Sequence, residues 1–305
     1  YTVASVSGTA NGSSANDTIF YINLTELSSG DTGALPTVTY TQGTMTDASG
    51  NLTATTGAVA STDKATPIAM SATYKDINTD GQVDRVDITF SEAPTLSSYD
   101  GTDWAASTAG TINLGAETTA VVSGNDIRVS ITGDANKTGG ATDPIITYTN
   151  NANRVTDAAT NNTATFTVTA TDAAAPVYVS SQTLDNNNDG TVDFVKVVYS
   201  ESVLDSSVVA ADYAAGVADT TAGNLTESFT SLTPSSGNVT DTANDASIYV
   251  GIASSGETLA TKKTDYTIKI EQVGAITDAL ANSLATFSSQ TSTDASKPLI
   301  KTVTI

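Results

Sequence analysis

The 305-residue chain carries 12 Lys and Arg against 33 Asp and Glu, a formal net charge of −21, which disfavours nucleic acid and anionic lipid surfaces as partners. It holds no His and no Cys, so His-based triads, thiol nucleophiles, zinc and iron–sulfur centres and disulfides are excluded. Carboxylates and hydroxyls are the chemistry that remains, and no apolar run approaches the roughly 20 residues of a membrane helix.

Along the chain the first feature is a repeat. Residues 1–66 contain ANDTIFYINL (Ala15–Leu24), PTVTYTQ (Pro36–Gln42) and MTDASGNLTATTGAVASTD (Met45–Asp63). The same three stretches return as GNDIRVSI, PIITYT and VTDAATNNTATFTVTATD up to Asp172. They return again as ANDASIYVGI, DYTIKIEQ and ITDALANSLATFSSQTSTD up to Asp294. A second block precedes the later two copies. PIAMSATYKDINTDGQVDRVDITFSE (Pro67–Glu92) aligns without a gap with PVYVSSQTLDNNNDGTVDFVKVVYSE (Pro176–Glu201). Each block follows a Thr-Asp-x-x-x-Pro linker, at Thr62-Asp63, at Thr171-Asp172 and a third time at Thr293-Asp294.

The expected organisation is therefore a partial unit at 1–66 with late strands only, whole units at 67–175 and 176–297, and at 298–305 the first strand of a further unit or a donor strand. The ends cut across the repeat, which points to a piece of a longer chain or to completion by another chain. No positively charged, apolar signal segment opens the sequence, so an exported protein would be present here in mature or partial form.

Within a unit the periodicity is that of strands. Ile68, Met70, Ala72 and Tyr74 alternate with polar residues, as do Val86, Ile88 and Phe90, and Val195, Val197 and Tyr199. This is the period-2 pattern of a sheet with one buried face. Only Ser206–Ala215 reads as a short helix. Units of about 110 residues with seven or so short strands predict an all-β chain of tandem immunoglobulin-like sandwiches.

The chemistry concentrates in Asp76-Ile-Asn78-Thr-Asp80-Gly-Gln82-Val-Asp84, matched by Asp185-Asn-Asn187-Asn-Asp189-Gly-Thr191-Val-Asp193. Oxygen donors at positions 1, 3, 5 and 9, Gly at 6 and a backbone carbonyl at 7 match the front of a calcium loop. Three carboxylates within nine residues repel one another unless a divalent ion neutralises them. The bland reading is a hairpin turn held by Asx bonding. Position 12 is Asp87 in one loop and Lys196 in the other, so the closing ligand comes from elsewhere, with the linker residues Asp172 and Asp294 as candidates. Glu92 and Glu201 read as strand-end charges, and the Tyr99–Trp104 pair as core packing in preference to a sugar platform.

The proline-led first strand, D-x-N-x-D-G-x-V-D, the strand end Phe90-Ser91-Glu92 or Tyr199-Ser200-Glu201 and the late turn Asp47-Ala-Ser-Gly-Asn51 together resemble the bacterial Ig-like domains found in tandem in S-layer proteins and large surface adhesins. The late turn lacks its Gly at Asp157–Asn161 and Asp278–Asn282. The resemblance implies an extracellular, cell-surface structural protein: a calcium-stabilised rod in a surface layer, stalk or filament that self-associates. The alternative is an adhesin binding glycans or neighbour-cell proteins. With no non-repeated carboxylate pair of the kind a glycosidase needs, no enzymatic activity is expected, and neither nucleic acid nor membrane insertion enters.

Overall fold

In the computed structural model the chain is all-β. The structure describes residues 1–296 except 11–13, 27–29, 108–111, 132–142, 189–191, 220–222, 232–240, 254–265 and 285. Residues 1–66 form two separate two-stranded antiparallel sheets, β1 (Val3–Ser7) with β2 (Tyr21–Leu24) and β3 (Thr37–Tyr40) with β4 (Thr56–Ala60). The next unit contains β5 (Ala69–Lys75), β6 (Arg85–Phe90), β7 (Thr95–Leu96), β8 (Trp104–Ala106), β9 (Ala120–Ser123), β10 (Asp126–Ser130), β11 (Ile145–Tyr148), β12 (Val155–Thr156) and β13 (Phe166–Asp172). Seven of these make one sheet in the order β8-β11-β13-β5-β6-β10-β9, while β7 pairs with β12.

The last unit contains β14 (Tyr178–Leu184), β15 (Phe194–Tyr199), β16 (Tyr213–Asp219), β17 (Gly223–Ser231), β18 (Ser247–Ala253), β19 (Tyr266–Gln272), β20 (Gln290–Thr291) and β21 (Thr293–Asp294). Its sheet order is β20-β19-β16-β17-β18-β15-β14-β21. Since β20 and β21 are two halves of one stretch of chain, the strand circuit returns on itself. The expected helix at 206–215 is absent. Asp205–Ser207 and Ala210–Asp212 are single 3₁₀ turns, and β16 begins at Tyr213.

Two apolar clusters hold the whole units. Val86, Ile88, Ile127, Val129, Ile146 and Tyr148 are fully buried in the first, and Val195, Val197, Val250 and Ile270 in the second. At about 1.5–3 kcal/mol for each fully buried Val or Ile, these clusters dominate the stability. The buried apolar residues begin at Ala72, and none lies among the described residues of 1–66.

The alternation read along the first strand is broken by a bulge. The register with β6 shifts between Ala69 and Ser71, so Ala69, Ala72 and Tyr74 face the core while Ile68 and Met70 stay exposed. One inserted residue flips every side chain on one side of it to the other face. The same shift between Tyr178 and Ser180 exposes Val179.

Each unit ends where it began. Strand β13 lies parallel to β5 with Asp172 beside Tyr74, and β21 lies parallel to β14 with Asp294 beside Thr183. These pairings bring Asp172 and Asp294 to the end of a unit's first strand. No helix among the described residues is long and apolar enough to cross a membrane.

Candidate metal sites at the unit junctions

Three short motifs, distant in sequence, are each locked by local hydrogen bonds. In the Thr-Asp-x-x-x-Pro linker the aspartate accepts from the amide two residues on: Asp63 from Ala65 and Asp172 from Ala174, both at 2.9 Å, and Asp294 from Ser296 at 3.0 Å. This Asx turn fixes one carboxylate oxygen and leaves the other to face outward from the turn.

The strand end is fastened to the residue after the linker proline. Ser91 donates its amide to the Ile68 carbonyl at 2.9 Å while its Oγ accepts from the Ile68 amide at 3.0 Å. Ser200 repeats both bonds with Val177 at 2.8 and 2.9 Å. The next residue, Glu92 or Glu201, is thereby held against the linker.

The late turn supplies the third group. The Asn161 amide donates to Asp157 Oδ1 at 2.8 Å and its side chain to Oδ2 at 2.6 Å; Asn282 and Asp278 match at 2.8 and 2.7 Å. In Asp47–Asn51, where the turn has Gly50 at φ +85°, the bonds are the same. Without glycine, Thr160 and Ala281 adopt φ of 68° and 67°. The turn's side-chain clamp is sufficient to hold a left-handed residue that favours glycine.

These pieces converge twice. One carboxylate oxygen from each of Asp63, Glu92 and Asp157 lies within 4.8 Å of the others, and Asp172, Glu201 and Asp278 form the equivalent group at the next junction. Asp157, Glu201 and Asp278 are 2%, 6% and 4% exposed. Burial pushes the Asp172 carboxyl above its ordinary range, and the charge of Asp278 adds to it. Burial does the same to Glu92, with Asp63 and Asp157 contributing. Two like charges at such a separation repel by about 3 kcal/mol at an effective dielectric of 20, so each group requires a proton or a cation. An all-oxygen carboxylate set suits a hard divalent ion.

The loop at 76–84 is built differently. Asp76 accepts from the amides of Thr79 at 2.6 Å and Gly81 at 2.8 Å, and Asp84 from those of Ile77 and Asn78 at 2.8 and 3.0 Å. Asp80 accepts from the Gln82 amide at 2.9 Å, and Asn78 Oδ1 from the Asp80 amide at 2.9 Å. Among the described residues its carboxylates join no group of three within 4.8 Å. Gly81, at φ +85°, is required for a second reason: a Cβ there would meet Ser200 Cβ at 3.1 Å and Val177 Cβ at 3.8 Å. The loop thus rests on the next unit beside Glu201.

In the second loop Asp193 accepts from the Asn186 and Asn187 amides at 2.7 and 3.3 Å, and Asn188 shares with Thr79 a φ of 60°. Asp185 directly follows β14. Asp189 and Thr191 lie outside the described residues. The linker residues part company. Asp172 joins Glu201 and Asp278, whereas Asp294 is exposed, bonded to Thr183 and to the Ser296 amide.

The sequence reading passed over Glu92, Glu201, Asp63, Asp157 and Asp278 as ligands. Its available signal was spacing, since 29 residues separate Asp63 from Glu92 and Asp172 from Glu201. Trp104 is buried, 6.0 Å from the stacked Tyr99 ring and 4.8 Å from Tyr148, and so belongs to the core.

No family model and no curated protein matches the chain. One solved chain that it resembles, described as "Crystal Structure of a Thermostable Esterase", is 13% identical with a TM-score of 0.32. The match covers 39% of this chain and spans about a third, 35%, of the esterase chain. On this finding the expectation that the chain has no enzymatic activity is withdrawn. A likeness at that level carries no argument for esterase activity either.

Proposed function

We propose that this chain is an extracellular structural protein, a rod of Ig-like units held at its junctions by calcium, in a surface layer, stalk or filament. The observation behind the proposal is the buried carboxylate triad that recurs at both described junctions from equivalent repeat positions. Each triad draws one residue from the linker and two from the unit that follows, Glu201 and Asp278 at the second junction. A cation there ties the linker to both the strand end and the late turn. Restricting the linker is what turns tandem units into a rod. The resemblance to tandem surface-protein domains supplies calcium as the ion, in keeping with the oxygen donors and the absence of His and Cys.

The test is calcium titration of the full chain by calorimetry, with melting curves and small-angle scattering in calcium and in chelator. Two sites per chain are expected, and four if the loops at 76–84 and 185–193 also bind. An ion that binds only the folded state adds about 2.7 kcal/mol per site at a hundredfold excess over Kd. Melting and scattering profiles that are identical in calcium and in chelator would reject the proposal.

A further inference from the structure

Each whole unit is entered through its first strand and left through its last, and those two strands are parallel neighbours. The chain enters β5 from Pro67 and leaves β13 at Asp172, with Ala170, Thr171 and Asp172 paired to Ala72, Thr73 and Tyr74. It enters β14 from Pro176 and leaves β21 at Asp294, with Thr293 and Asp294 paired to Gln182 and Thr183. In the seven-stranded sheet the β5–β13 seam is the one parallel pairing. It also divides the sheet, with β8-β11-β13 on one side and β5-β6-β10-β9 on the other.

Parallel terminal strands decide how a unit meets tension along the chain. A pull draws the Pro67 end of β5 one way and the Asp172 end of β13 the other. Because the strands point the same way, the pull slides one along the other and loads all the bonds between them together. Antiparallel terminal strands would be pulled apart at one end, and their bonds would open in turn.

The seam carries more than its ladder. The Ala173 amide donates to the Tyr74 carbonyl at 3.0 Å, and Ala295 to Thr183 at 3.3 Å. Thr171 Oγ1 donates to the Ala72 carbonyl at 3.3 Å, and Thr293 Oγ1 to that of Ser181 at 3.2 Å. Thr171 and Thr293 stand at equivalent repeat positions, as do Ala72 and Ser181. In the last unit the buried hydroxyls of Ser181 and Ser292 add a bond of 2.8 Å. At the entry side the Ser91–Ile68 and Ser200–Val177 bonds fasten the start of each first strand.

We propose that each whole unit is a load-bearing element, a clamp sheared along the β5–β13 or β14–β21 seam when the chain is under tension. The clamp consists of backbone and hydroxyl hydrogen bonds and needs no junction cation, so it stands apart from the calcium reading.

The test is single-molecule force spectroscopy of the full chain held by its two ends, in chelator, so that the junction ions do not enter the result. Two high-force events are expected, each lengthening the chain by about 35 nm, from roughly 3.5 Å per residue over about 110 residues. The chain has no Cys, so two introduced cysteines define a second axis. Held at Ile68→Cys and Ala164→Cys, near the same end of β5 and β13, the first unit should open at a several-fold lower force. Ala173→Pro removes the donor to Tyr74, and Thr171→Val removes only the hydroxyl bond to Ala72. Both should lower the end-to-end force of one event, the proline more. Val129→Ala, in the core strand β10, should lower the melting temperature and leave that force almost unchanged. The core is still packed when the seam ruptures, so the substitution weakens the folded state and the barrier alike. Equal forces along the two axes overturn the proposal. So does a Thr171→Val chain that resists as the wild type does, or a Val129→Ala chain that yields as early as the seam variants.

Discussion

The loop at 76–84 and the triad of Asp172, Glu201 and Asp278 are both crowded with acidic groups, but their charges are balanced in opposite ways. In the loop each aspartate accepts one or more backbone amides, and the loop is largely exposed. Burial still raises the Asp76 carboxyl above its ordinary range, while the amides of Gly81, Thr79 and Asp80 oppose that rise. In the triad Glu201 and Asp278 are buried, and the three carboxylates face one another. Motif matching points to the loop as the ion site. Desolvation points to the triad, because burial without an opposite charge is the costlier state.

The largest expected effect separates the two regions by metal. In chelator the wild-type chain should melt about 10 °C lower than in saturating calcium, taking about 2.7 kcal/mol per site and roughly 4 °C per kcal/mol for a unit of about 110 residues. Glu201→Gln keeps the shape and removes one charge. It should raise the melting temperature in chelator, where repulsion is relieved, and abolish the calcium-induced rise at that junction. A variant that responds to calcium as the wild type does would move the ion away from the triad.

Acidification should imitate the cation. Asp172 and Glu92 have folded-state pKa values raised by burial and by neighbouring carboxylates. A group so raised binds its proton more tightly in the folded state, so its contribution is present below the ordinary carboxylate pKa and lost as pH rises through the folded value. In chelator the melting temperature should therefore climb as pH falls from 7 towards 5, and the climb should flatten in calcium, which competes with the proton. Easing of the net charge of −21 acts in the same direction, so the decisive quantity is the slope difference between wild type and the double variant Glu92→Gln/Glu201→Gln. Equal slopes would remove the triads as its source.

The strand content and the repeat were legible because period-2 alternation and ungapped matches such as Pro67–Glu92 with Pro176–Glu201 lie within single segments. The bulge at Ala69–Ser71 was not, since an extra residue leaves the local alternation of Ile68, Met70 and Ala72 unchanged while reversing which side is buried. The short helix at 206–215 was misread because its apolar spacing serves two 3₁₀ turns and the start of a strand. The triads escaped for a related reason. Their members lie 29 and then 65 or 77 residues apart, and only the antiparallel pairing of a unit's first two strands, closed by the Ser91–Ile68 and Ser200–Val177 bonds, brings the strand-end glutamate to the linker. A loop whose oxygens recur at every second residue announces itself; a site assembled by topology does not.

A smaller effect is expected at the loop. Asp76→Ala removes the acceptor for the Thr79 and Gly81 amides and should cost about 1–2 kcal/mol, given about 1 kcal/mol for each net hydrogen bond. The loss should be equal in calcium and in chelator if the loop is self-satisfied and the ion sits in the triad. A loss confined to calcium would give the loop an ion of its own. Gly81→Ala should weaken the contact with Ser200, and the change should appear as altered small-angle scattering together with a lower melting temperature.

The smallest effect tests whether the late turn is what holds Asp157 and Asp278 in place. Thr160 and Ala281 sit at positive φ where the matching turn at 47–51 has Gly50. A left-handed non-glycine residue costs about 1–2 kcal/mol, and glycine returns part of that through the entropy of the unfolded chain, about 0.5–1 kcal/mol. Thr160→Gly and Ala281→Gly should each stabilise by about 0.5 kcal/mol on balance, the threonine more because its β-branch crowds the backbone. Gly50→Ala should destabilise by a similar amount. Since Thr160 and Ala281 are exposed and their substitution leaves the Asp–Asn clamp intact, the calcium response should be unchanged in both glycine variants. A glycine variant with weakened calcium affinity would show instead that the strained turn presses its aspartate into the triad, and that part of the ion's binding energy is spent on holding it there.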